Sequence, residues 1–416
     1  MMRALYILLS VLLLPVALLR LAWRARREPG YLAHLGERFG LYELKPGAPV
    51  VWVHAVSLGE TRGAEPLVEA LLARYPQHGV LLTHMTPAGR DAGQTLYGTR
   101  VIQAYLPYDN PLSVRRFLAH FAPHIGIVME TEIWPNLIQA CRQGAVPLLL
   151  VNARMSQRSA RGYARFPEFT RATLNSITAI VAQSESDAAR FAELGARNVS
   201  VAGNIKFDID PPAAQLALGE AMRAHYGARP VLVAASTREG EEDLVLDAAA
   251  ASEVKGLLVV IVPRHAQRFD DVARRIAARG LALQRRSENR TVDAATPVVL
   301  GDSLGELFAY YRSADLAFVG GSLVEWGGHN LIEACAVGTP VLVGPHTMNF
   351  AEVTQSAIAE GAAMRVADTG ELAAAIRSLS GDAPRREAMR AAALSFAGRH
   401  RGATGRILAL ISRAMR

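Results

Sequence analysis

From Pro49 onward, short apolar runs alternate with stretches whose apolar residues recur every three or four positions. "PVVWVHAV", "GVLLTHMT", "VIQAYLP", "IGIVMETE", "PLLLVNAR", "AIVAQS" and "VSVAGN" each end in a polar or glycine turn. That rhythm predicts βα units and a parallel sheet. After "GNIKFDIDPP" it restarts with "PVLVAAS", "LLVVIVPR", "PVVLGD", "LAFVGGS" and "PVLVGPH". Two Rossmann-like α/β domains are therefore expected, over residues 24–207 and 231–383, joined by a linker at 208–230 and followed by a helical segment at 384–416. Two facing sheets of this kind create a cleft where a donor and an acceptor meet.

The chain opens differently. "ALYILLSVLLLPVALLRLAW" runs from Ala4 to Trp23, broken by Ser10, Pro15 and Arg20, close to the roughly 20 residues that span a bilayer. Arg24, Arg26 and Arg27 follow at once. A secretory signal places its charge before the apolar core and a small-residue cleavage site after it, so residues 1–23 predict an uncleaved membrane anchor. The positive-inside tendency then puts the rest on the cytoplasmic side. An apolar helix lying on the membrane or on the protein is the alternative.

Composition agrees with a folded chain: of 416 residues, 50% are hydrophobic and 20% charged, enough for large cores. The net charge of +7 favours an anionic partner, whether nucleic acid, membrane surface or phosphorylated substrate. Cys141 and Cys335 stand far apart and outside any C-x-x-C pattern, which argues for packed thiols in a reducing compartment.

Several chemistries lose their support. No G-x-x-x-x-G-K-[ST] loop, G-x-G-x-x-G fingerprint or G-x-S-x-G elbow occurs. Asp208 and Asp210 imitate a metal-holding carboxylate pair, yet they run into Pro211 and Pro212 and read as a turn or linker. No metal site is expected.

In open parallel sheets ligands bind beyond the carboxyl ends of the strands, so the polar residues closing each run are the candidates. Glu60 follows "VVWVHAVSLG" and opens a helix. An acid in a first turn complements the helix dipole, but at that place it is also a candidate general base. Glu130 and Glu132 follow "IGIVM"; in an extended stretch their side chains point to opposite sides, so one of them faces a site. Ser236, Thr237 and Arg238 lie between a strand and a helix, where hydroxyls and amides cap the helix or cradle a phosphate. Arg264 and His265 close the next run, and Gly305 and Glu306 stand where another helix begins. Gly320 and Gly321 permit close backbone approach, and Asn330 and Glu333, three apart, share a helix face suited to phosphate and ribose.

These residues carry a resemblance. "GERFG", "HAVSLGE", "METEIWPN", "NARMS", "GNIKFD", "GEE", "VPRH", "GD" and "GGHN" with Glu333 occur in the order found in the lipid A 3-deoxy-D-manno-octulosonic acid (Kdo) transferases, inverting glycosyltransferases of the GT-B fold. Across nearly its whole length the chain resembles that family. The resemblance implies a bacterial inner-membrane anchor, a CMP-Kdo donor in the second domain, a phosphorylated lipid A precursor on the first and an anionic membrane surface, with no nucleic-acid partner and no cofactor. It implies Glu60 as proton acceptor and Glu130 and Lys206 as transition-state stabilisers. It also implies donor contacts from Pro263, Arg264, Leu304, Gly305, Glu306, Asn330, Leu331, Ile332 and Glu333. Arg238 departs from the family's usual histidine. A membrane-associated GT-B enzyme using a UDP-sugar shares the architecture, and a noncatalytic anchored scaffold would need only the folds.

Overall fold

The protein is described from a computed structural model over residues 2–26 and 28–415; Met1, Arg416 and Arg27 of the basic cluster lie outside the described residues. It divides into two compact units, Met1–Asp208 with His400–Arg416, and Ile209–Arg399.

The first unit is built on β1 (Val50–His54), β2 (Gly79–His84), β3 (Val101–Tyr105), β4 (Ile125–Met129), β5 (Leu148–Ala153), β6 (Ala179–Ala182) and β7 (Val199–Val201). They pair in the order β3-β2-β1-β4-β5-β6-β7, parallel throughout. Why β1 is apolar on both faces follows from its period of two: Val51 and Val53 enter one core with Leu67 and Leu71, while Val50 and Trp52 enter another with Phe117 and Leu137. Because β1 leads to β2 on one side and has β4 on the other, the strand order reverses between β1 and β4. In open parallel sheets such a reversal is where a ligand crevice lies, beyond the carboxyl ends.

In the second unit β8 (Val231–Thr237), β9 (Leu258–Pro263), β10 (Leu283–Arg285), β11 (Val298–Leu300), β12 (Leu316–Val319), β13 (Val341–Val343) and β14 (Ala363–Arg365) pair in the order β10-β11-β9-β8-β12-β13-β14, again parallel. Here the reversal falls between β8 and β12.

Two stretches differ from the sequence expectation. Within 208–230, read as a linker, Ala213–Tyr226 is a helix of the second unit; apolar residues at helical spacing bury Met222 and Tyr226. The segment 384–416 is not one helix but two. Ala383–Arg399 stays with the second unit, whereas Ala403–Ala414 returns to the first, inserting Ala403, Ile407 and Ile411 into the core that holds Val51 and Val53. Asp208 receives the Gly402 and Thr404 amides at the start of that returning helix, capping it from a distance in sequence. The carboxylate pair that imitates a metal site thus has its first member engaged as a cap.

At the N-terminus the helices Met2–Leu12 and Leu14–Ala25 meet at a 42° bend. Pro15, which cannot donate a backbone hydrogen bond, lies in the first turn after the break. Among the described residues no single helix is long and apolar enough to cross a membrane; the bent pair passes that test together. The first helix rests on the first unit through the Tyr6 hydroxyl, which donates to Asp109 Oδ2 at 2.8 Å, and the Tyr6 ring, 5.7 Å from that of Phe169. Leu5, Leu8, Leu9 and Leu12 remain exposed. Cys141 and Cys335 are buried thiols.

Candidate active site

In the first unit, the chain leaving β1 turns at Ser57, whose Oγ accepts the Glu60 amide and caps the helix Leu58–Gly63. The Glu60 carboxylate folds back over this turn. Its Oε2 accepts the Val56 amide at 2.9 Å and its Oε1 the Ser57 hydroxyl at 3.2 Å. Burial nevertheless dominates and pushes its pKa from 4.5 to about 7, with Glu130 and Glu132 pushing the same way.

Across the strand-order reversal, Glu130 follows β4 directly, in the left-handed region at φ 57°, a strain that the surrounding backbone must hold. Its amide donates to Val151 O at 3.0 Å and its carbonyl accepts the Arg154 amide at 3.3 Å. Lys206, beyond β7, donates to Glu130 Oε1 at 2.9 Å. A Cβ on Gly63 would come within 3.0 Å of Lys206 Cε, so a bare glycine one turn after Glu60 lets the lysine stem lie against that helix. Glu60, Glu130 and Lys206 are thereby gathered from three strand ends. Glu132 turns elsewhere, accepting the Trp134 indole N–H at 2.8 Å.

Asn152 was not singled out by sequence reasoning. Held at φ 50°, it accepts the Ile205 amide through Oδ1 at 3.1 Å and so fixes the turn that carries Lys206. Only its place inside "NARMS" hinted at it. The "GERFG" motif proves to be a brace. Glu37 binds Arg90 at 2.7 Å and the Tyr105 amide at 2.7 Å, and the Arg38 guanidinium lies 4.1 Å from the Tyr105 ring centroid.

In the second unit, four adjacent strand ends, those of β11, β9, β8 and β12, carry the candidates. Ser236 is left-handed at φ 59°, and a Cβ on Gly320 would sit 2.6 Å from its carbonyl oxygen. Glycine at 320 therefore permits the loops after β8 and β12 to touch. Glu241 binds these loops together: it is fully buried and accepts the Arg238, Gly321, Ser322 and Leu323 amides. Burial still raises its pKa. Gly321 thus spends its amide inside the protein. Thr237 Oγ1 donates to Glu242 Oε1 at 2.7 Å, and Arg268 clamps both oxygens of Glu242 at 2.6 and 3.0 Å.

Arg238 occupies a distinct nest. It donates to His265 Nε2 at 2.8 Å and His329 Nε2 at 3.2 Å, with its guanidinium carbon 4.8 Å from the Trp326 ring centroid. Burial, reinforced by Arg264 and Arg238, lowers His329 to about 3; burial and three arginines lower His265 as well. Both imidazoles are neutral acceptors, and the positive charge belongs to arginine.

Pro263 and Arg264 close β9, and the Arg264 amide donates to Thr237 O at 3.1 Å. After β11, Leu304 is exposed, Gly305 O accepts Gln215, and Glu306 accepts Ser303 Oγ at 2.6 Å beside Arg286 at 3.3 Å. Asn330 Oδ1 accepts the Ile332 amide at 3.0 Å, and its Nδ2 reaches Glu333 Oε1 at 3.4 Å. Leu331 and Ile332 are buried in the core, so backbone is what they offer a ligand. Glu241, Glu242, Arg268, Trp326 and His329 went unassigned in the sequence; acids after a glycine at a helix start look like ordinary dipole partners.

Similar folds define the class. A glycosyltransferase from Rickettsia africae matches with a TM-score of 0.60 at 12% identity, covering 89% of this chain and 99% of its own. Anabaena HepE in complex with UDP and glucose matches at 0.57 and 14%, covering 88% and 100%. The architecture is that of the GT-B glycosyltransferases, two parallel-sheet α/β domains. Family models described as "3-Deoxy-D-manno-octulosonic-acid transferase (kdotransferase)" and "Glycosyl transferases group 1" match residues 33–209 and 232–396. The 3-deoxy-D-manno-octulosonic acid transferase of Bordetella pertussis is 45% identical over 402 residues, 93% of each chain, and that of Haemophilus influenzae is 35% identical over 419 residues, covering 99% and 98%. This chain belongs to the 3-deoxy-D-manno-octulosonic acid transferase family and is a glycosyltransferase.

Proposed function

We propose that the protein transfers Kdo from CMP-Kdo to a lipid A precursor, lipid IVA, with inversion, as a step in lipopolysaccharide synthesis. One observation carries the catalytic reading: at the strand-order reversal of the first sheet, a carboxyl held at about 7 stands beside an ion-paired Glu130 and Lys206. A base of that strength is matched to a neutral working pH. Glu60 takes the proton of the acceptor hydroxyl while the oxygen attacks the anomeric carbon of Kdo. The bond to the CMP phosphate breaks on the opposite face, and CMP leaves with the electron pair. Lys206, oriented by Glu130, stabilises the developing negative charge.

Arg264 and Arg238 supply positive charge and Ser236 a hydroxyl for the donor's anionic groups, the Thr237 hydroxyl being spent on Glu242, and Glu333 supplies an acceptor for ribose hydroxyls. The bent N-terminal pair, apolar and exposed, anchors the enzyme to the inner membrane with both units on the cytoplasmic side. The assay is direct: purified protein, CMP-Kdo and lipid IVA, with product mass as readout. Transfer from a UDP-sugar instead, or CMP binding no tighter than UDP binding, defeats this reading in favour of another membrane-associated glycosyltransferase.

A further inference from the structure

The first unit carries one basic feature that the chemistry above does not use. Arg158, Arg161 and Arg165, at helical spacing along and just beyond the helix Gln157–Tyr163, line one surface pocket of about 550 Å³ with Gln157 and Gly162. Among the described residues no acidic side chain lines it. The nearest acid in sequence, Glu168, instead sits in the first turn of the next helix, Pro167–Leu174. Three exposed arginines facing one hollow without a carboxylate repel one another, an arrangement that gains most when an anion enters.

Its position suggests which anion. At one end the stripe is rooted at the reaction site, because Arg154, one turn earlier, donates its amide to the carbonyl of Glu130. The turn between is rigid: the Met155 amide donates to Asp187 Oδ1 at 2.8 Å, and Ser156 Oγ accepts the Ser159 amide at 3.1 Å. At the other end, exposed Phe166 leads to Phe169, whose ring meets Tyr6 on the apolar N-terminal helix. Along the chain, charge therefore lies between the turn that holds Glu130 and the ring contact with the apolar helix. An amphiphile with an attacked sugar hydroxyl, a phosphate and acyl chains has its groups in that same order.

We infer that Arg158, Arg161 and Arg165 form the subsite for a phosphate of the glycolipid acceptor, positioning its sugar hydroxyl toward Glu60 and its acyl chains toward the apolar helix. This rests on the proposed transfer to lipid IVA. Each guanidinium can bind phosphate with paired, charge-assisted hydrogen bonds.

The test is a cycle between enzyme and substrate on the full-length protein in detergent: native chain, Arg158→Gln/Arg161→Gln/Arg165→Gln, and the triple lysine variant, each with lipid IVA and with phosphatase-treated lipid IVA. The glutamine variant should raise KM for lipid IVA roughly 10- to 100-fold, the worth of one or two charge-assisted hydrogen bonds. Its KM for the dephosphorylated acceptor, its CMP affinity and its melting temperature should stay at native values, and lysine should restore part of the loss. Equal KM of the native chain for the two acceptors, or an equal loss on both in the variant, overturns the inference. So does a variant that discriminates phosphate as the native chain does but no longer sediments with phosphatidylglycerol vesicles, since the stripe would then read bilayer headgroups. Absence of any Kdo transfer by the native chain sinks the functional reading itself, and this inference with it.

Discussion

Glu60→Gln separates catalysis from folding more cleanly than any other change. The glutamine keeps the size and an oxygen for the Val56 amide, but it cannot accept a proton, so transfer should fall by about 10²- to 10⁴-fold. Stability should move the other way. A carboxyl at about 7 in the folded chain and 4.5 when unfolded ionises first in the unfolded state. Its contribution is therefore fully present below pH 4.5, is lost as pH rises through 7, and amounts to about 3 kcal/mol when the loss is complete. Glutamine does not suffer that loss. At pH 8 the variant should match or exceed the native chain in urea midpoint, and the advantage should shrink as pH falls and vanish only below pH 4.5. The native kcat/KM should climb with pH and level off above about 7, an inflection absent from the residual activity of the variant. A plain first-turn acid predicts the reverse: near-native turnover and a loss of about 1 kcal/mol or less at neutral pH. A well-folded Glu60→Gln protein with near-normal initial rate refutes the assignment.

Three further outcomes are expected. Lys206→Met leaves Glu130 without its 2.9 Å partner beside Glu60, so the rising limb of the pH–rate profile should shift up by about one pH unit; an unmoved inflection would mean that the pair is remote from the base. Glu333→Gln should weaken CMP binding about tenfold by calorimetry, a charged acceptor being replaced by a neutral one, and unchanged affinity returns Glu333 to a purely structural helix position. Glu241→Ala strands four amides, the buried ones of Gly321 and Ser322 and the part-buried ones of Arg238 and Leu323, and should cost about 3 kcal/mol or more in urea unfolding together with CMP affinity. A native urea midpoint would show that those loops hold without it.

The amino-acid order alone determined most of the secondary structure and the class. A strand covered on both faces is apolar throughout, and a parallel strand needs a crossover that is usually a helix, so "VVWVH" or "IGIVM" announces itself locally. Polar residues at run ends, Glu60, Glu130 and Ser236 among them, were legible for the same reason. What depends on distant chain was not. Ala403–Ala414 returns to the first unit because Ile407 and Ile411 find their apolar partners there and Asp208 caps the helix across 194 residues of chain. Amphipathic spacing states that a helix has a buried face but not which core receives it. Glu241 looked like a dipole partner until the fold wrapped four amides round it. Asn152 gained its place only when β5 and the Lys206 turn met. The carboxyl of Glu60 was visible as an acid from its letter. That it titrates near 7 was decided by the tertiary structure, since burial and neighbouring charge are properties of packing, not of chain order.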